Sequence, residues 1–173
     1  MGLRPALLAV SLALAAAAGA GGAGPAPAPC LSVRRYPDGP VLLRVLLPPD
    51  GAFSLVYRHS VERTPVVERY RVARGEGPAG QAEPVLVLVL EASEYRSLGA
   101  GLPAEGELRE GPEGPVLVIW LRRTMDSLVL RPLPLTEHAL RLGDGRRIPL
   151  PDVGAALELR PGCEPDEEEG GHA

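Results

Sequence analysis

The sequence predicts an all-β fold, a single antiparallel β-sandwich or barrel-like domain that follows an N-terminal signal segment. Three observations lead to this prediction. From Cys30 to Pro161 the chain consists of short runs rich in Val, Leu and Ile. Pro, Gly and Asp residues that favour turns separate these runs, and no long segment has the periodicity of a helix. Short, regularly spaced strands are typical of sandwiches and barrels. With 173 residues, the chain has room for one such domain.

Ten runs are predicted strands, and turn residues bound most of them. They span residues 31–36, 41–47, 52–60, 66–74, 84–92, 116–123, 127–131, 139–142, 146–150 and 155–160. Turns are predicted at residues 37–39, 48–51, 75–80, 111–114 and 143–145, which are rich in Gly, Pro or Asp. The one segment that could form a helical turn covers residues 91–98.

The first 29 residues are excluded from the predicted domain. Arg4 precedes an apolar run at residues 6–18, and the small residues 18–20 follow it, as in a secretory signal peptide. Two interpretations stay open here, a cleaved signal peptide and an uncleaved segment that anchors the chain. Alternating Pro and Ala at residues 25–29 then form an extended spacer. The β-domain is predicted at residues 30–162, and residues 163–173 are predicted to be an acidic, disordered tail.

The two cysteines lie at opposite ends of the predicted domain. Export places Cys30 and Cys163 in an oxidising compartment, periplasmic or otherwise extracytoplasmic, where a disulfide between them is plausible. The alternative is two unpaired thiols, because spacing alone does not determine pairing. Lipid attachment at Cys30 is a minor interpretation, since the residues 27–29 that precede it are Pro-Ala-Pro.

The charge of the chain argues against some classes of partner. Eighteen basic residues, all of them Arg, stand against 22 acidic residues, which gives a net charge of -4. General binding to nucleic acid or anionic lipid is therefore not expected, although a cluster of arginines could still act locally. Nothing in the sequence indicates a cofactor.

A polar constellation centres on His59. By the two-residue period of a strand, Tyr57 and His59 lie with the apolar face of the run 52–60, and Glu68 lies on the inward face of the run 66–74. A hairpin in which paired positions sum to 125 sets Tyr57 opposite Glu68, so that His59 and Glu68 become diagonal neighbours. A buried carboxylate needs a partner, and an imidazole or a tyrosine hydroxyl could supply it.

Three interpretations of this constellation stay open. The first is a polar pair that fixes the register of the hairpin. The second is a ligand or metal site, although a metal site has few ligands because His138 fits the edge of the core better. The third is a hydrolase with Ser60 as nucleophile, His59 as base and Glu62 or Glu68 as orienting group. Adjacent residues on a strand point to opposite faces, which argues against the third.

A glycine-rich segment follows at residues 94–103. Gly99 and Gly101 let the backbone adopt positive φ and present N–H groups to an anion, and Arg96 could add a cationic donor. The alternative is a loop that crosses the end of the barrel. We expect Gly99, Gly101 and Arg96 to form one ligand site with Tyr57, His59, Ser60, Glu62 and Glu68.

The two segments together resemble a known family. The run HSVERTPVVE at residues 59–68 and the run GAGLP at residues 99–103 are similar to those of the domain of unknown function 1850 family of bacteria and archaea. The resemblance extends in outline from Cys30 to Arg160. Members of that family are short exported proteins that are often encoded beside TRAP transporters of the TAXI type, which import small carboxylates or amino acids.

The resemblance implies a non-enzymatic accessory role in such uptake. It implies contact with receptor or membrane subunits of the transporter, or binding of a small carboxylate or amino acid, and it carries over no catalytic residues. The rival hypotheses are a small hydrolase or metal-binding protein that uses His59 and Glu68, and a structural envelope domain without a ligand.

Overall fold

The computed structural model describes residues 28–76, 84–96 and 105–163, and every regular element in these ranges is a β-strand. The strands are β1 (Cys30–Arg35), β2 (Val41–Leu46), β3 (Ala52–Arg58), β4 (Pro65–Gly75), β5 (Val85–Tyr95), β6 (Glu107–Gly111), β7 (Gly114–Met125), β8 (Leu128–Leu130), β9 (Ala139–Leu142), β10 (Arg147–Pro149) and β11 (Leu157–Pro161). The predicted signal segment up to residue 27 and the tail from residue 164 lie outside the described residues.

The strands form two antiparallel sheets. The smaller sheet has the order β2-β1-β11-β8, and the larger has the order β10-β9-β3-β4-β5-β7-β6. Strands β4, β5 and β7 each have 11 or 12 residues and form the middle of the larger sheet. Register shifts at Arg69/Tyr70 and at Leu90/Ala92 mark β-bulges, which bend these long strands. The protein is thus an all-β sandwich, as the sequence predicts.

The core fills the space between the sheets. Leu31, Val33 and Leu159 of the smaller sheet and Leu88 and Leu140 of the larger one are fully buried and belong to one apolar cluster. Burial of each such side chain stabilises the fold by about 1.5–3 kcal/mol relative to exposure. The alternation of buried and exposed positions along the strands follows from the opposite directions of successive side chains.

All ten predicted strands are present, with ends that differ by up to three residues. Strand β6 was not predicted, because its only large apolar residue, Leu108, is 64% exposed and the remaining residues are charged or Gly. The predicted helical turn at residues 91–98 is wrong, since Glu91 to Tyr95 continue β5 in extended conformation. That continuation pairs on both sides, with β4 and with β7, which satisfies the backbone better than one isolated turn.

A disulfide joins Cys30 and Cys163, as predicted. It links the start of β1 to the residues just after β11, two strands that are already neighbours in the smaller sheet. The Cα atoms are 5.5 Å apart, and the bond closes a loop with a sequence separation of 133 residues. Both ends of the described domain are therefore fixed at one point.

Candidate functional site

The β3–β4 hairpin has a different register from the predicted one. Paired positions sum to 123, so that Tyr57 lies opposite Val66 and Leu55 lies opposite Glu68. The predicted shared face is confirmed, because Tyr57 and Glu68 both lie on the inward face of the larger sheet. The predicted sum of 125 is wrong, and His59 and Glu68 are not diagonal neighbours. Glu68 lies diagonal to Tyr57 instead.

His59 lies in the turn beyond β3. Its backbone N–H donates to the Thr64 carbonyl at 2.9 Å, and its Nδ1 accepts the Glu62 backbone N–H at 3.2 Å. Arg63 has a positive φ of 58° and donates to the His59 carbonyl. These bonds place the centre of the turn one residue nearer the N-terminus than the predicted register does. The same turn holds the exposed Ser60 and the partly exposed Glu62.

The inward face holds a polar cluster around Glu68. The Tyr57 hydroxyl donates to Glu68 Oε1 at 3.2 Å and the Tyr70 hydroxyl donates to Oε2 at 2.8 Å. Burial, and next the negative charge of Glu68, raise the pKa of both tyrosine hydroxyls far above the ordinary value. The partners of this carboxylate are therefore the tyrosine hydroxyls that the sequence offered as one alternative.

His138 lies at the edge of the core, as predicted. Its ring stacks on Tyr57 with centroids 4.8 Å apart, and its Nδ1 lies 2.8 Å from the Thr136 hydroxyl. Burial lowers the pKa of His138 below its ordinary value. At neutral pH the imidazole is therefore uncharged and acts as a packing residue with one polar contact.

The glycine-rich segment is described only at its start. Arg96 follows β5 and pairs with Glu113 of the turn between β6 and β7. Gly99 and Gly101 lie outside the described residues, so their place in the predicted shared site is not given by the structure. Among the predicted site residues that the structure describes, Tyr57 and Arg96 line a groove of the surface.

That groove lies on the outer face of the larger sheet, away from the core. It has a volume of about 560 Å³, within the range of small-molecule sites. The strand register places the side chains of this face in three rows across the sheet. The first row is Arg147, Arg141, Ser54 and Arg69; the second is Val56, Val67, Glu94 and Val118; the third includes Arg58, Pro65, Val116 and Arg109. Successive rows are about 6.8 Å apart, two residues along a strand.

The groove is positively charged in a chain that is negatively charged. Six arginines and four glutamates line it, an excess of two positive charges, whereas the whole chain has a net charge of -4. Four of the arginines have carboxylate partners: Arg58 with Glu137, Arg69 with Glu94, Arg96 with Glu113 and Arg109 with Glu107. Arg141 and Arg147 are the two groove arginines that form no such ion pair within the described residues.

Arg141 and Arg147 lie directly opposite each other in the β9–β10 hairpin. Like charges at opposed positions of an antiparallel pair are destabilising. Arg147 donates to the Glu137 carbonyl at 3.1 Å, and neither guanidinium pairs with a carboxylate within the three described ranges. Glu137 has a positive φ of 49°, an uncommon conformation for this residue type and one found at functional sites.

The sequence prediction missed this arginine pair, although one signal could have found it. The tight turn at residues 143–145 fixes the pairing of the two short runs around it, and this pairing sets position 141 opposite position 147. The other groove residues come from strands far apart in the chain, and only the sheet order brings them together.

No three His, Cys, Asp or Glu side chains of the described residues form a group that could hold a metal ion. None of the described residues belongs to a helix long and apolar enough to cross a membrane.

The fold and the groove define a disulfide-closed β-sandwich domain with an arginine-lined groove on its larger sheet. The sequence pattern of a family described as Domain of unknown function (DUF1850) matches residues 53–150, more than half of the chain. The protein belongs to this family, which confirms the resemblance noted above. The matched region runs from β3 to the residue after β10 and includes both arginines of the pair. No curated protein and no solved structure matches the chain.

Proposed function

We propose that this protein is a non-enzymatic, extracytoplasmic accessory domain of a TAXI-type TRAP uptake system, and that it binds a small carboxylate or amino acid in the outer groove. The observation that carries the proposal is a pair of opposed arginines on the wall of a groove of about 560 Å³, where neither arginine forms an ion pair with a described carboxylate. An anion between the two guanidiniums would remove their repulsion and gain charge-assisted hydrogen bonds. The accessory role rests on the family.

Other features are consistent with an exported binding domain. A disulfide persists in oxidising compartments and is rare in the cytosol. The turn that holds His59 and Ser60 uses the His59 Nδ1 as an acceptor for the backbone, and Glu68 is engaged by two tyrosine hydroxyls. This arrangement favours binding over a hydrolase in which His59 activates Ser60 while Glu68 orients the ring.

The binding proposal is tested by thermal denaturation of the mature domain with a panel of small carboxylates and amino acids. A ligand present at about 100 times its dissociation constant adds about 2.7 kcal/mol to the free energy of unfolding, a measurable rise in the melting temperature. We expect at least one compound to raise it, and the double substitution Arg141→Gln with Arg147→Gln to abolish the rise. A panel without effect, or a rise that persists in the double variant, contradicts the proposal.

The accessory role is tested separately in cells. Deletion of the gene should lower uptake of the compound that the domain binds, and the Arg141→Gln protein should fail to restore uptake although it folds. Uptake that is unchanged by the deletion contradicts the accessory role and leaves the binding result intact.

A further inference from the structure

We infer that the groove takes a monocarboxylate with a short apolar body, and that it discriminates against dicarboxylates and free amino acids. This inference rests on the proposed binding function and narrows it to one class of ligand. It follows from the positions of the unpaired charges relative to the valine row of the same face.

The arginine pair can bind one carboxylate group. The unpaired positive charges, Arg141 and Arg147, face each other across one pair of strands, with Cβ atoms expected about 5 Å apart. A single carboxylate offers two oxygens with about four acceptor positions, enough to receive both guanidiniums. One carboxylate can thus accept hydrogen bonds from both guanidiniums at this end of the groove.

On the far side of the groove, the arginines of the third row already have acidic partners. The third row contributes Arg58 and Arg109, and each already pairs with a glutamate, at 3.2 and 2.8 Å. A second carboxylate on the ligand would have to displace one of these acidic partners or lie unpaired over the valines. Both outcomes carry an electrostatic penalty, so a dicarboxylate gains nothing from its second charge.

The ammonium group of an amino acid is attached one carbon from the carboxylate, so it would lie close to the arginine pair. Arg147 contacts the backbone carbonyl of Glu137, and the carboxylate of Glu137 is engaged by Arg58. Glu110, another glutamate of the groove, is on β6, and four strands of the sheet separate it from β9. An ammonium beside Arg141 would therefore meet two guanidiniums, and like charges disfavour it.

The apolar body of the ligand would lie against the valines of the second row. The second row presents the half-buried side chains of Val56 and Val67, about 6.8 Å along the strands from the arginine row. Because apolar contact needs an approach to only about 4 Å, a body of roughly three to five carbons is long enough to touch the valines from the arginine row. Contact with the valines removes apolar surface from water, which an acetate ion cannot do.

The experiment is calorimetric titration of the mature domain with four probes of graded chemistry: isovalerate, acetate, succinate and L-valine. Isovalerate and L-valine share the branched body and differ in the ammonium, while isovalerate and acetate share the charge and differ in the body. We expect isovalerate to bind at least tenfold more tightly than each of the other three.

Two pairs of variants assign the binding to the groove. Arg141→Gln should weaken isovalerate at least tenfold, whereas Arg146→Gln should leave it unchanged, because Arg146 lies in the same hairpin but holds Asp144 and does not line the groove. Val67→Thr, nearly isosteric, should weaken isovalerate and spare acetate. The control Val61→Thr changes an exposed valine of the β3–β4 turn and should weaken neither.

The outcomes separate this inference from the proposed function. Succinate or L-valine binding as tightly as isovalerate, with loss in Arg141→Gln, overturns the inference and supports the proposed function. Equal binding of acetate and isovalerate also overturns it, since the valine row would then contribute nothing. If neither these probes nor the wider panel of carboxylates and amino acids binds, both fail.

Discussion

At the scale of single residues, the inward-facing polar groups are satisfied by specific neighbours. Glu68 accepts from Tyr57 and Tyr70, and Tyr57 in turn stacks on His138. A half-buried carboxylate without such donors would carry the full cost of its lost hydration. These contacts give the cluster a structural role, and Tyr57 is the member of the cluster that also lines the groove.

The tyrosines predict an alkaline limit to stability. Burial and the Glu68 charge raise the pKa of Tyr57 and Tyr70 in the folded state above the unfolded value of about 10. Their contribution is therefore complete below about pH 10 and declines as the pH rises above it. Absorbance titration at alkaline pH should show two of the four tyrosines ionising only as the protein unfolds. Simultaneous ionisation of all four while the fold persists would contradict this.

Glu158 of β11 predicts a loss of stability in acid. It is 4% exposed, and its Oε2 lies 2.9 Å from Arg160 Nε. Burial raises the pKa of the Glu158 carboxyl, but hydrogen bonds from Arg160 and Ser127 outweigh it and lower the pKa overall. The carboxylate therefore stabilises the fold above the unfolded pKa of about 4.3, and this contribution is lost as the pH falls.

Glu158→Gln should accordingly cost about 2 kcal/mol at pH 7, the size of a hydrogen bond to a charged group, and less at pH 3. Denaturant unfolding at the two pH values measures both. The control is Glu113→Gln, whose exposed carboxylate pairs with Arg96 and should contribute little. Equal effects of the two substitutions at pH 7 would contradict the assigned role of Glu158.

At the scale of elements, the turns determine which strands can pair. Gly51 precedes β3 with a φ of 71°, and a Cβ atom there would lie 2.5 Å from the Val72 carbonyl oxygen of β4. That carbonyl belongs to the backbone and cannot move without breaking the β4 ladder. Gly145 of the β9–β10 turn also has a positive φ, 86°, but nothing lies within 4 Å of its hypothetical Cβ.

This contrast predicts unequal effects of the same substitution. Gly145→Ala should lower the free energy of unfolding by about 1–2 kcal/mol, the cost of a left-handed conformation for an L-residue. Gly51→Ala carries that cost and a backbone clash, so it should lose clearly more. Thermal denaturation of the two variants compares them directly. Equal losses would show that the approach of Gly51 to β4 does not constrain the fold.

The elements also show what the sequence can and cannot specify. Strand positions and the shared face of Tyr57 and Glu68 followed from apolar composition and the two-residue period. The register did not, because it depends on hydrogen bonds within the turn that holds His59 and on the positive φ of Arg63. Strand β6 carries little apolar signal and forms by pairing with β7 alone.

The candidate site was harder to predict than the fold. Its residues come from strands that are distant in sequence, and the sheet order that joins them depends on long-range pairing. The arginine pair of β9 and β10 is the exception, since a three-residue turn brings Arg141 and Arg147 together locally. The sequence prediction favoured His59 because the two-residue period placed it on the inward face near Glu68, whereas here its Nδ1 closes a turn.

At the scale of the whole molecule, the disulfide joins the two ends of the sandwich. A loop of 133 residues closed by Cys30 and Cys163 stabilises the fold by roughly 5 kcal/mol in the chain-entropy model. Reduction, or the double substitution Cys30→Ser with Cys163→Ser, should lower the melting temperature by roughly 10 °C. Mass spectrometry of the protein under non-reducing conditions should find the bond, and two free thiols would contradict the prediction.

The distribution of charge over the molecule separates its two faces. The inward face encloses the apolar core and the tyrosine-bound Glu68, while the outer face of the larger sheet carries the arginine excess. The proposed binding of small anions in this positively charged groove should weaken as the salt concentration rises, because the site is open to solvent.

The most direct test of this central claim is a backbone amide NMR titration of the mature domain with isovalerate, which locates the ligand as well as detecting it. We predict concentration-dependent shifts that centre on Arg141, Arg147, Val56 and Val67, with shifts at Glu68 and Tyr70 that are smaller, and loss of all these shifts in Arg141→Gln. Shifts that centre instead on His59, Glu68 and Tyr70, or no shifts at any concentration, would contradict the claim that the outer groove is the binding site.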